Sequence, residues 1–233
     1  MPKQKKSLRK NTQKILSTSV MYLKNNMKKY TITKSKQNNY VWFQIAKNAS
    51  RTLINCLNDN TELDLGFPLH LNKDDGYHEP YKSEYDDYFK FTIVRNPWDR
   101  FLSFYLNKVG RKSSPWNQKG SKSFYGCTFE ESVIELKTTD LEDKDCDIHY
   151  RSQTEMFPLD NIDYIGRFEN LQEDFNFICD KIKIPHQQLP HKNKTKDWLK
   201  HKHYTEYYDE ETKQIVAEKY AKDIETFGYK FGE

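Results

Sequence analysis

Phe91 to Lys108 reads FTIVRNPWDRFLSFYLNK, and this order of residue types specifies a buried strand, a sharp turn and a helix. Phe91, Ile93 and Val94 form a short apolar, partly β-branched run, suited to a strand covered on both faces. Asn96 is a good N-cap, Pro97 fits the first helical position, and Asp99 adds negative charge to the first turn. Phe101, Leu102, Tyr105 and Leu106 recur at helical spacing and make one apolar stripe. Arg95 is left at the carboxyl end of the strand, beside a helix N-terminus. That edge of an open α/β sheet is where ligands bind. Ser103 follows two turns into the helix. An Arg and a hydroxyl flanking helix-end N–H groups are the parts of a phosphate clamp. The competing reading is an ordinary strand–turn–helix with a solvated Arg.

A similar arrangement occurs upstream. Tyr40 to Ala46, YVWFQIA, is a strand candidate, and Leu53 to Leu57 looks helical. Between them, Lys47-Asn48-Ala49-Ser50-Arg51-Thr52 offers a cation, hydroxyl donors and backbone N–H groups entering a helix. The loop lacks the glycines and the Gly-Lys-Ser/Thr end of the Walker loop, which disfavours an ordinary ATPase. Read alone, it is equally a solvated strand–helix connection.

The chain is long enough at 233 residues to bury a substantial core. Aromatic residues make up 15% of it, which excludes a disordered protein despite the polar average. Cys56, Cys127, Cys146 and Cys179 have no paired spacing for zinc or a redox dithiol, so reduced structural thiols are expected. No run is long or apolar enough for a transmembrane helix, and the start lacks the apolar core of a secretory signal. A cytoplasmic location is therefore expected.

The net charge of +4 is unevenly placed. Residues 1–58 hold 13 Lys or Arg and no acid, leaving 25 bases and 34 acids beyond. Residues 1–36 read as a basic tail carrying a helix, with Ile15, Leu16, Val20, Leu23 and Met27 on one face, and residues 37–233 as the body. That face suits docking on the body or peripheral contact with an anionic membrane. No nucleic-acid motif is present, and nucleic acid is not an expected partner.

The remaining segments are loops and helices. Thr61 to Tyr85 is broken by Gly66, Pro68, Gly76 and Pro80 and contains His70 and His78. Thr128 and Glu131 form a capping box for a helix running to about Leu136. Asp163 to Gly166 looks like a strand, with Arg167 and Glu169 placed to pair with each other, and Leu171 to Lys181 an amphipathic helix. His186 to His203 is rich in Lys and suits a rim over an anionic ligand. Asp209 caps a last helix that Gly228 ends.

Together, VWFQIAKNASRTL, FKFTIVRNPWDRFLSFY, YIGRFENLQEDF and HYTEYYDEETKQIVAEKYAKDIETFGYKF resemble the carbohydrate-type, or family 2, sulfotransferases. These use 3′-phosphoadenosine 5′-phosphosulfate (PAPS). The resemblance implies a three-layer α/β, P-loop-like nucleotide-binding fold with a mostly parallel central sheet. It implies that Lys47, Asn48, Ser50, Arg51 and Thr52 hold the 5′-phosphosulfate, and Arg95 and Ser103 the 3′-phosphate. Lys192, Lys194 and Thr195 are candidates for closing over the nucleotide. Ala49 stands where many sulfotransferases have Gly. Lys47 would also stabilise charge on the leaving phosphate, and a loop histidine, His70 ahead of His78, would be the general base. A carbohydrate or other hydroxyl acceptor is implied, and no metal. Two alternatives remain: a P-loop-like ATP-dependent kinase, and a non-enzymatic basic module binding nucleic acid or membrane phosphates.

Overall fold

Tyr40–Phe43 is buried at every position, and its side chains alternate between two cores. The computed structural model describes residues 28–58, 78–110, 124, 126–190 and 202–233. In chain order they form β1 (Lys29–Ser35), β2 (Tyr40–Phe43), α1 (Ser50–Asn58), β3 (His78–Pro80), β4 (Phe89–Val94) and α2 (Pro97–Phe104). A π-helical turn, Tyr105–Val109, extends α2. Then come α3 (Phe129–Glu135), β5 (Tyr164–Arg167), α4 (Leu171–Ile182), α5 (Glu210–Lys219) and α6 (Ala221–Phe227).

The strands make one five-stranded sheet in the order β3-β1-β2-β4-β5. It is mixed, which corrects the expectation of a mostly parallel sheet. β2–β4 and β4–β5 are parallel, whereas β1–β2 and β1–β3 are antiparallel. The cause is the short link from Ser35 to Tyr40, with Ser35 opposite Tyr40. A connection that short turns the chain back, and a parallel neighbour needs a crossover. Asn39 closes the turn at φ 49°, a left-handed conformation asparagine tolerates. Strand β1 lies on the N-terminal side of the expected division at residue 37. Its Tyr30 and Ile32 are buried, and its lysines are exposed or half-buried. The expected helical face from Ile15 to Met27 lies outside the described residues.

Period-two alternation gives the sheet two apolar faces. Tyr40, Trp42, Phe91 and Ile93 pack with Leu53 and Leu57 of α1 and Phe175, Ile178 and Ile182 of α4. Val41, Phe43 and Val94 face the other way, onto Tyr85, Met156, Phe157 and Phe227. A third cluster lies beyond the sheet, where Phe101 and Phe104 of α2 meet Phe129, Val133, Ile215 and Tyr220. Gly166 is required where β5 meets its cover. A Cβ there would lie 2.6 Å from Ile93 Cδ1.

The helix ends follow their chemistry. Asn96 Oδ1 accepts the Trp98 N–H at 3.2 Å, and Pro97 opens α2. A cap of this kind stabilises a helix by about 1 kcal/mol. Thr128 and Glu131 make the expected capping box of α3. Asp209 caps α5 by accepting the Thr212 N–H at 2.7 Å. The expected last helix is two, broken at Tyr220, and Gly228 at φ 67° ends the second.

Candidate active site

Between β2 and α1 the chain winds through left-handed conformations at Lys47 (φ 76°) and Ala49 (φ 63°). Each costs a non-glycine residue on the order of 1 kcal/mol. The surroundings hold the winding in place. Arg95 Nη1 donates to the Lys47 carbonyl at 2.8 Å, Arg100 Nε to the Ala46 carbonyl at 3.1 Å, and Ser50 Oγ to the Ile45 carbonyl at 3.1 Å. Three loop carbonyls are thus tied to side-chain donors. The N–H groups that open α1 at Ser50 and Arg51 have no intrahelical acceptor. Alternation around left-handed residues of this kind makes an anion-binding concavity.

Arg95 continues from β4 with its guanidinium fixed on three sides. Nε and Nη2 each lie 2.8 Å from Asp99 Oδ2, Nη1 reaches Lys47, and the carbon stands 3.9 Å over the Phe168 ring. The backbone of Arg95 is read by Gln153, which is fully buried. Gln153 Oε1 accepts the Arg95 N–H at 3.0 Å and Asn48 Nδ2 at 2.7 Å, and its Nε2 donates to the Arg95 carbonyl at 2.9 Å. Asn48 also donates to the Ile93 carbonyl at 2.8 Å. One amide therefore joins the loop after β2 to the turn after β4. Asp223, itself buried, accepts the Gln153 N–H at 2.8 Å and the Thr154 N–H at 3.0 Å.

Arg100 is fully buried and carries its charge among carbonyls. Besides Ala46 it donates to Arg151 at 2.8 Å and to Ile148 at 3.1 Å. A buried charge is tolerated when its donors are satisfied in this way.

The site is short of negative charge. Burial pushes the Lys47 ammonium down to about 7, reinforced by Arg95, Lys108, Arg51 and Arg100. Burial likewise lowers Lys108, against the pull of Asp147. Asp147 sits below the usual carboxylate range: burial raises it, but the hydrogen bonds and charge of His149, with Lys108 adding, together outweigh that cost. His149 Nδ1 lies 2.7 Å from Asp147 Oδ1. Burial holds this imidazole below the usual histidine range, in spite of Asp147 and with Lys108 and Lys47 adding to the effect.

The fold thus brings Lys47, Asn48, Ser50, Arg51 and Thr52 beside Arg95. Asn48 and Thr52 are buried, and the Ser50 hydroxyl is engaged by the loop itself. Ser103 is half-buried on α2, and no hydrogen bond joins it to Arg95. His78 pairs through its backbone with Thr31, whose carbonyl accepts the Gln44 N–H at 2.8 Å. It lies at the loop's end of the sheet but two strands from β2, roughly 10 Å by strand spacing. His70, Lys192, Lys194 and Thr195 lie outside the described residues. Arg167 and Glu169 do not pair with each other. Arg167 stands 4.7 Å over the Tyr229 ring, and Glu169 accepts the Asn96 N–H at 2.7 Å.

Sequence reasoning missed Lys108, Asp147, His149, Gln153 and Arg100. Arg100 carries the one usable signal, an Arg inside an otherwise apolar helical stripe. Lys108 lies in the π-helical turn, Asp147 closes an acidic stretch, and His149 and Gln153 follow it with no period to read.

The sequence pattern described as "Sulfotransferase family" matches residues 11–230. "Carbohydrate sulfotransferase 14" of Danio rerio is 27% identical over 171 residues, which cover 61% of this chain and 44% of that protein. The chain thus spans less than half the length of this relative. No solved structure matches.

Proposed function

Because the chain belongs to the sulfotransferase family, we propose that it transfers a sulfuryl group from PAPS to a hydroxyl of a carbohydrate acceptor, by in-line displacement. One observation carries the choice of donor. Lys47 is half-buried among four further cations, and its ammonium is held at about 7. A polyanionic donor relieves that repulsion. The carbohydrate acceptor is supported by the name of the zebrafish relative.

PAPS supplies an activated sulfuryl group on a phosphate leaving group, flanked by a 3′-phosphate. The residues fit such a donor. The N–H groups at Ser50 and Arg51, with Lys47, suit the 5′-phosphosulfate, and Lys47 suits the oxygen on which charge grows. Arg95 has N–H groups beyond those committed to Asp99 and Lys47, and with Ser103 it suits the 3′-phosphate. Lys192, Lys194 and Thr195 are proposed to close over the nucleotide. A histidine would take the acceptor proton. The proposed sulfotransferase body includes β1 and so reaches back past residue 37 to Lys29, and a cytoplasmic setting is proposed.

Calorimetry with 3′-phosphoadenosine 5′-phosphate against magnesium ATP tests this reading. The bisphosphate is expected to bind at least tenfold more tightly, about 1.4 kcal/mol. Preference for magnesium ATP would favour a kinase instead.

A further inference from the structure

His149 is tied to the phosphate loop by a single buried side chain. Arg100 Nη2 donates to the Ile148 carbonyl and Arg100 Nε to the Ala46 carbonyl, each at 3.1 Å. One rigid guanidinium plane therefore holds both the residue preceding His149 and the residue preceding Lys47. The imidazole is also oriented. Asp147 Oδ1 lies 2.7 Å from His149 Nδ1 and accepts the His149 N–H at 2.9 Å. With the carboxylate there, the neutral ring carries its proton on Nδ1 and its lone pair on Nε2. The ring is largely buried, at 15% side-chain exposure, and it feels the charges of both Lys47 and Lys108.

We infer that His149, oriented by Asp147, is the general base of the sulfuryl transfer. This rests on the sulfotransferase reading given above. In the step, the acceptor hydroxyl gives its proton to Nε2 of His149 as its oxygen bonds to sulfur. The bond from sulfur to the phosphate oxygen breaks, and the electron pair stays on that oxygen, beside the Lys47 ammonium. The imidazolium so formed is paired with Asp147, which stays ionised, as a base held by a carboxylate requires. The arrangement also makes chemical sense of the low proton affinity of His149. Burial favours the neutral ring before transfer, and Asp147 stabilises the imidazolium that transfer forms.

The test uses the full chain with His149→Ala, His149→Gln and Asp147→Asn. Affinity for 3′-phosphoadenosine 5′-phosphate is measured by calorimetry. Transfer from PAPS is followed in single turnover, with methyl glycosides at high concentration as hydroxyl acceptors. Both His149 variants are expected to bind the bisphosphate within a factor of about three of wild type and to lose about 10²–10⁴-fold in transfer. Asp147→Asn is expected to move the acid limb of kcat/KM to lower pH, because it removes the charge that favours imidazolium. A merely structural role for Asp147 would leave the limb in place. Near-normal transfer by His149→Gln, or an unmoved limb in Asp147→Asn, overturns the assignment while the donor reading stands. If wild type neither binds the bisphosphate nor transfers sulfate, the donor reading fails in the calorimeter and the assignment falls with it.

Discussion

Gln153 and Arg95 hydrogen-bond in both directions. The Arg95 N–H reaches Gln153 Oε1 at 3.0 Å, and Gln153 Nε2 reaches the Arg95 carbonyl at 2.9 Å. The same Oε1 also holds Asn48 of the other loop at 2.7 Å. The loop at Lys47 and the turn at Arg95, 48 residues apart, are thus set against each other by one amide. The separation of the groups proposed to hold the two ends of the donor is fixed there.

Gln153→Glu probes this link with little change of shape. A neutral carboxyl keeps both accepted bonds and donates an O–H to the Arg95 carbonyl; an ionised one faces that carbonyl with charge. Burial raises the folded-state pKa of the new carboxyl above the ordinary value of about 4.3. The variant is therefore expected to approach wild-type stability below about pH 4 and to lose stability as pH rises through the raised value. Near pH 7 the loss should be roughly 2–4 kcal/mol, the scale of a disrupted buried polar network. Urea denaturation across pH checks it, and a pH-independent difference would contradict the hydrogen-bond arrangement.

Lys47→Met is expected to stabilise the ligand-free protein and abolish donor binding. The Lys47 ammonium titrates at about 7 in the folded chain against 10.5 ordinarily, chiefly because it is buried. Between those values the unfolded chain binds the extra proton, so the wild-type contribution to stability rises with pH across that window. The variant should lack this rise and unfold at a higher temperature near pH 7. Scanning calorimetry at pH 7 and pH 10 reads the difference. In the wild type, binding of 3′-phosphoadenosine 5′-phosphate at pH 8 should take up protons, seen as a dependence of the binding heat on the buffer's ionisation enthalpy.

Arg95→Ala should weaken 3′-phosphoadenosine 5′-phosphate by roughly 2–3 kcal/mol, the cost of a lost charged hydrogen bond. Adenosine 5′-phosphosulfate, which lacks the 3′-phosphate, should be weakened less. Any loss it does show measures the slackening of the loop once the bond to the Lys47 carbonyl is gone. Equal losses for the two ligands would remove Arg95 from the 3′-phosphate.

Two truncations separate the basic start from the sheet. A chain beginning at Lys28 is expected to unfold in one cooperative transition. A chain beginning at Gln37 lacks β1, which lies between β3 and β2, and should not fold. Circular dichroism melting distinguishes them. Cooperative melting of the shorter chain would show that β1 is dispensable.

The legible parts were those whose chemistry is local. The Phe91–Lys108 stretch announced its strand by an apolar run and its helix by Asn96 and Pro97, and both are present. The Lys47–Thr52 loop was legible as a connection but not in its winding. Lys47 and Ala49 are ordinary residues in left-handed conformations, imposed by Arg95 and Arg100 through bonds that span 48 and 54 residues of chain. Strand β1 was hidden by its lysines and by the uniformly basic start, although Tyr30 and Ile32 alternate as a half-buried strand should. His149 and Gln153 lie in a run of turns and short 3₁₀ helix. Their placement depends on contacts with Arg95, Arg100 and Asn48, which no spacing in the sequence displays.

The two margins of the sheet have a bearing on how the protein behaves when concentrated. β3 is three residues long and ends in Pro80, which has no N–H to offer a passing chain. At the other margin, β5 is four residues long, and the Arg167 N–H is already taken by Asp174 of α4. Among the described residues, neither margin presents the long open ladder on which one molecule templates another into fibres. Among the described residues, Pro80→Val and Asp174→Ala are the changes that would open such a ladder, and loss of colloidal stability on storage is where they would first be noticed.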